Sequence, residues 1–167
     1  DIPSAALALR ASFIIEGPSG EREVGADDFF TGFLETALEP EELLTEIRVP
    51  KLPNSKWSFQ KFNRRAQDWA IVGASVLIAD NQCGVGLVNM DFKPIRAASL
   101  EEAIENGASA EEASQLAADG LEPPWSGANR SPTRAYHSEA ASRSSLRTQR
   151  ASRWCCSAPR EAATHDI

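Results

Sequence analysis

Histidine, cysteine and long apolar runs are what this 167-residue chain has least of, and each shortage removes a class of function. His137 and His165 are the only histidines and both lie near the end, so zinc catalysis and histidine acid–base chemistry have almost no material in the body of the chain. Cys83, Cys155 and Cys156 form neither a metal-ligand spacing nor a disulfide framework, which makes a reduced, cytoplasmic setting the expectation. No apolar run approaches the roughly 18 residues of a membrane span, and no basic segment followed by an apolar one marks a secretory signal. Positive charge is scarce too. Residues 1–124 hold 10 Lys and Arg against 21 Asp and Glu, which argues against nucleic-acid binding there.

What remains is a soluble α+β pattern. Asp1-Ile-Pro followed by an Ala/Leu run predicts a helix with Asp1 as its N-cap and Pro3 in the first turn. Residues 11–15 and 21–24, separated by Gly17-Pro-Ser-Gly20, predict a hairpin. A short helical or irregular stretch follows from Asp27, and residues 42–49, bounded by Pro40 and Pro50, predict a strand. Two prolines in Pro50-Lys-Leu-Pro53 break both helix and ladder, so a linker separates the halves. Beyond it, residues 57–65, 70–79 and 85–90 predict three strands, with 80–84 as a turn. Ser99 with Glu102 and Ser109 with Glu112 have the spacing of capping boxes that start two helices, and Gly107 and Gly120 stand where such helices end.

From Trp125 the pattern collapses. Leu146 and Ile167 are the only large aliphatic residues in 125–167, and all seven basic residues there are Arg. So little apolar material cannot offset chain entropy, which predicts disorder. The Arg bias is also what an out-of-frame reading of GC-rich DNA produces; a genuine tail and a basic nucleic-acid-binding arm are the alternatives.

Residues 59–78 concentrate Lys61, Arg64, Arg65, Asp68, several aromatics and an apolar run. Basic charge beside aromatic faces suits a planar anion, although an ordinary edge strand entering a core has the same composition.

Several blocks in order carry a resemblance. They are Asp1-Ile-Pro-Ser-Ala-Ala-Leu, then Asp28-Phe-Phe-Thr-Gly through Leu43-Leu-Thr-Glu-Ile-Arg-Val-Pro50, Lys61-Phe-Asn-Arg-Arg-Ala-Gln-Asp-Trp-Ala70, and Gly86-Leu-Val-Asn with Pro94-Ile-Arg-Ala97. With these, residues 1–124 resemble the FAD-binding (medium) subunit of molybdenum hydroxylases, the carbon monoxide dehydrogenase and xanthine dehydrogenase family. The resemblance implies the second half of an FAD-binding domain over residues 1–53. A small domain of antiparallel sheet and helices over 54–124 would follow it, and 125–167 would be an unrelated tail. It also implies loss of the glycine-rich FAD loops, which in the family lie upstream and cradle a pyrophosphate through backbone N–H groups.

By the same resemblance the cofactor is FAD, and the molybdenum cofactor and iron–sulfur clusters belong to partner chains, the large and small subunits. The implied flavin contacts are Asp1, Leu43, Lys61 and Trp69. Each has a plainer alternative: helix capping for Asp1, core packing for at least one of Leu43 and Leu44, a solvated edge-strand lysine for Lys61, and a core anchor for Trp69. Arg64, Arg65 and Asp68 are expected to form an ion-pair cluster at the turn before residue 70. No residue is expected to act as acid, base, nucleophile or metal ligand. Two functions follow as expectations: an electron-passing flavoprotein subunit, or an assembly module that does not bind FAD alone.

Overall fold

The computed structural model describes residues 1–121, apart from 66, 80, 81 and 120. The expected tail, Gly120, Cys155, Cys156 and both histidines lie outside the described residues.

Helix α1 (Ile2–Ala8) opens the chain and is followed by a hairpin, β1 (Ser12–Gly17) with β2 (Gly20–Gly25). A single turn of helix, α2 (Ala26–Phe29), leads into a second small hairpin, β3 (Phe30–Gly32) and β4 (Glu35–Thr36). Strand β5 (Leu43–Arg48) returns beside β1, giving an antiparallel sheet of order β2-β1-β5. The next sheet has order β6-β7-β8-β9, all neighbours antiparallel, built from Lys56–Phe62, Val72–Ala79, Gln82–Val88 and Ile95–Arg96. Helices α3 (Ala98–Glu105) and α4 (Ala110–Gln115) and a 3-10 turn (Leu116–Ala118) cover it. The architecture is α+β, as the element order predicts.

Two apolar clusters form the core. Phe13 and Phe29 stack with ring centroids 4.0 Å apart, and Phe30 sits edge-on to both, so the first cluster is an aromatic knot under β1. The second joins Val76, Val85 and Leu87 of the larger sheet to Leu100, Ala113 and Ala117 of the helical layer.

Helix α1 connects the two. It lies against β7 and β8 while contributing Ala6 and Leu7 to the aromatic cluster. Its approach to β8 is close enough that a Cβ on Gly84 would overlap the Ala8 carbonyl oxygen, and one on Gly86 the Ser4 carbonyl oxygen. These two glycines are therefore packing residues inside β8 rather than residues flanking a strand. The buried Ser4 and Ser75 hydroxyls, 2.9 Å apart, satisfy each other at the same contact.

Local details depart from expectation in instructive ways. Ser109 and Glu112 form the expected reciprocal capping box. Ser99 does not cap, because the N-cap of α3 falls two residues earlier on Ala97, whose N–H donates to the Val85 carbonyl at 2.9 Å. Pairing of β9 with β8 fixes where that helix begins. Gly107, φ +87°, follows the end of α3 as predicted. Strand β8 resumes at Gln82, so the connection from β7 is shorter than the expected 80–84 turn.

Candidate functional site

The site builds outward from the first residue. Asp1 occupies the N-cap position of α1, yet its side chain makes no capping hydrogen bond. Its carboxylate turns instead to Lys61 Nζ on β6, 2.9 Å away. Lys61 is thus not a freely solvated edge-strand lysine: its side chain is 24% exposed and its ammonium is held across the gap between α1 and β6. Antiparallel pairing of β6 with β7 sets its position, with Lys61 opposite Gly73. Two residues 60 apart in sequence, both singled out as flavin contacts, meet here.

Trp69 and Leu43 lie on other segments. Trp69, in the connection from β6 to β7, is 82% exposed, so it is no core anchor. Leu43 on β5 is 72% exposed and Leu44 is exposed as well, so the expectation that one of the pair packs in the core is wrong. The reason is the position of β5 at the end of its sheet, where all six residues are exposed. In the turn before residue 70, the Asp68 N–H donates to the Arg65 carbonyl at 3.0 Å, and the Asn63 amide donates to the same oxygen. One backbone and one side-chain hydrogen bond thus converge on the Arg65 carbonyl.

Beside the Asp1–Lys61 pair, an apolar cleft of about 560 Å³ runs between α1 and the β6–β7 strands. Ile2, Ala5, Leu9, Trp57, Phe59 and Leu77 line it, with Asp1 at one end. Sequence reading missed this cleft, and the signal available was Trp57 and Phe59 at strand spacing, which put two aromatics on one face of β6.

A second polar cluster lies where β8 meets α3. Glu101 is 4% exposed; its Oε1 accepts the Val85 N–H at 2.7 Å and its Oε2 lies 3.0 Å from Arg96 Nε and 3.7 Å from Arg10. Arg96 also donates to Asp27 at 2.7 Å, and Arg10 to the Cys83 carbonyl at 3.3 Å. Glu105 accepts the Cys83 N–H at 3.1 Å. Side chains thus satisfy the backbone groups of β8 that β9 is too short to reach. Burial pushes the Glu101 carboxyl above the usual glutamate range, against the Val85 hydrogen bond and the two arginines, which pull it down. This cluster joins elements, and none of its residues lines the cleft.

The site is an antiparallel α+β unit in which a paired lysine stands near an apolar cleft lined by Trp57 and Phe59. The comparisons specify the class. Residues 1–52 match the family described as FAD binding domain in molybdopterin dehydrogenase. The carbon monoxide dehydrogenase medium chain of Hydrogenophaga pseudoflava is 34% identical over 125 residues, covering 71% of this chain and 44% of that protein. Caffeine dehydrogenase subunit beta of Pseudomonas sp. (strain CBB1) is 34% identical over 61% of this chain and 37% of its own length. In the solved structures, carbon monoxide dehydrogenase from Hydrogenophaga pseudoflava superposes with a TM-score of 0.76 at 31% identity, over 92% of this chain and 56% of that one. Quinoline 2-oxidoreductase from Pseudomonas putida 86 gives 0.76 at 25% identity, over 93% and 55%. The chain belongs to the family of FAD-binding medium subunits of molybdenum hydroxylases. It spans less than half the length of the curated relatives it matches.

An exposed indole and a lysine suit a planar ring that gains negative charge on reduction. A diphosphate needs backbone N–H groups approachable over glycine. Gly84 and Gly86 are occupied by α1, and Gly20 and Gly107 end a hairpin and a helix.

Proposed function

We propose that this chain carries the ring-side wall of an FAD site in a flavoprotein subunit of a molybdenum hydroxylase. The subunit passes electrons between iron–sulfur clusters on a small partner subunit and an external acceptor, while substrate is oxidised at molybdenum on a large one. A cytoplasmic location accords with this, and no helix among the described residues is long and apolar enough to cross a membrane. The observation that carries the proposal is the Asp1–Lys61 pair at 2.9 Å, which joins the segment matching the FAD-binding family to a strand of the second sheet.

FAD, when bound, supplies the one- and two-electron chemistry. The residues of this chain bind and orient. Lys61 places a cation beside a ring that becomes anionic, Asp1 holds that ammonium in place, Trp69 offers a flat face, and Leu43 an apolar edge. By the same proposal, residues 1–53 complete the FAD-binding domain and residues 54–124 form the domain that closes over the ring.

A second function has its own observation. Because Gly84 and Gly86 pack against α1 and Gly20 and Gly107 lie in turns, the chain by itself acts as an assembly module and does not hold the diphosphate. Incubating the full chain with FAD and recording the bound-flavin absorbance and thermal midpoint separates the two. Stoichiometric retention of FAD through gel filtration refutes the assembly module. Absence of any spectral change at millimolar FAD refutes the ring-side wall.

A further inference from the structure

The sheet of order β2-β1-β5 has two edges, and they are unlike each other. The β2 edge carries Glu21, Arg22 and Glu23, all exposed, and such charge is the usual guard of an edge that stays unpaired. The β5 edge is open. Its outer side pairs with no strand among the described residues, and Leu44 and Ile47 are 38% and 46% exposed. The charges of β5 do not guard it. Arg48 lies 2.9 Å from Glu46 and 3.4 Å from Glu23 of β2, so it is drawn back over β1 and away from the edge.

Register decides what this edge presents. Leu44 stands opposite Ile15 and Ile47 opposite Phe13, and opposed residues share a face of the sheet. A register shift between Ile14 and Ile15 brings both onto the face of the aromatic cluster although they are three residues apart. On the β2 side Val24, opposite Phe13, packs against that cluster and closes it. Phe13 and Ile15 themselves are 2% and 0% exposed. One strand spacing further, about 4.8 Å, the same apolar face is half open at β5. An open ladder beside an unfinished apolar face takes an extended segment. Main-chain hydrogen bonds hold it, and every second side chain continues the face. The family supplies the source: more than half the length of the curated relatives lies outside their match to this chain.

We propose that β5 is an internal strand of a larger sheet, and that its open edge takes a strand from the portion of a medium chain that this chain does not span. This deepens the proposal that residues 1–53 complete an FAD-binding domain. Leu43, opposite Glu16, stands on the other face and stays available to a flavin. The test co-expresses the full chain with the part of the Hydrogenophaga pseudoflava medium chain that lies outside the match. Amide hydrogen exchange is then compared between the chain alone and the purified pair. A one-to-one complex is expected, with exchange over residues 43–48 slowed about tenfold or more and exchange over 20–25 unchanged. Ile47→Lys and Leu44→Lys each put a charge on the apolar face at a partly exposed position. Each is expected to keep the thermal midpoint of the chain within about 3 °C and to lower the yield of complex about tenfold or more. Glu21→Lys, on the β2 edge, is expected to leave the yield unchanged.

No complex, or a complex in which residues 43–48 exchange as fast as in the chain alone, overturns the strand addition. Full yield from both lysine variants overturns it as well. Protection of 43–48 by self-association of the chain assigns the edge to a second copy and also overturns it. Flavin content separates the two proposals. A complex with β5 protected and no bound flavin upholds the strand addition and refutes the ring-side wall, whereas flavin binding by the chain without any complex does the reverse.

Discussion

Replacing Glu101 with alanine is the sharpest perturbation of the junction between the two sheets. The side chain is 4% exposed and serves three partners: the Val85 N–H at 2.7 Å, Arg96 Nε at 3.0 Å and Arg10 at 3.7 Å. Truncation leaves a buried backbone donor without an acceptor, which costs about 1–3 kcal/mol. The arginines add less. Arg96 keeps Asp27 and is a quarter exposed, and Arg10 keeps the Cys83 carbonyl and is 40% exposed, so solvent screens most of what they lose. A total of about 2–4 kcal/mol follows, or a fall in midpoint of about 10 °C for a unit this size. Urea unfolding followed by circular dichroism measures it. A loss below about 0.5 kcal/mol refutes the claim that Glu101 satisfies the backbone of β8. Glu101→Gln retains an acceptor for Val85 and should lose less. It also isolates the pH effect. Burial raises the folded-state pKa of Glu101, so the folded chain binds this proton more readily than the unfolded one. Its contribution therefore grows as pH falls through the raised value and declines as pH rises. The stability difference between wild type and Glu101→Gln should slope in that direction, and no slope refutes the assignment.

Glu42 should show the opposite trend. The Arg22 hydrogen bond, with the Glu39 N–H and the Arg22 charge, lowers its carboxyl to about 2, so its contribution is present at neutral pH and disappears as pH falls from the ordinary glutamate range to about 2. The midpoint difference between wild type and Glu42→Gln should shrink over that interval. Gly86→Ala drives a Cβ into the Ser4 carbonyl, a backbone atom that cannot swing aside, and should cost about 3 kcal/mol or more in urea unfolding. An unchanged midpoint would mean that α1 is not seated on β8 as described. Lys61→Ala removes a partly exposed ion pair and should cost no more than about 1 kcal/mol, separating a ligand role from a stability role.

Much of the fold was legible because its signals are local. The Gly17–Gly20 turn between residues 11–15 and 21–24 predicts the β1–β2 hairpin, and the Ser109–Glu112 spacing predicts a cap that forms as expected. Signals that depend on distant partners were not legible. The same cap spacing fails at Ser99, because pairing of β9 with β8 decides where the helix starts. Leu43 and Leu44 have a core composition, but their exposure follows from the place of β5 in sheet order, which no window of sequence contains. The β3–β4 hairpin was missed because its strands are two and three residues long. For the site, resemblance supplied Asp1 and Lys61, while their contact, and the cleft beside them, needed the fold.

The central claim is that this chain holds the wall of a flavin site that meets the ring, without the cradle for the diphosphate. Parallel fluorescence titrations of the full chain with riboflavin and with FAD test it most directly, with Lys61→Ala and Trp69→Ala as controls. Both ligands should bind at about 0.1–1 mM, within about threefold of each other, and both should weaken in the two variants. FAD binding about 100-fold more tightly than riboflavin, or either ligand binding the variants as well as wild type, would contradict it.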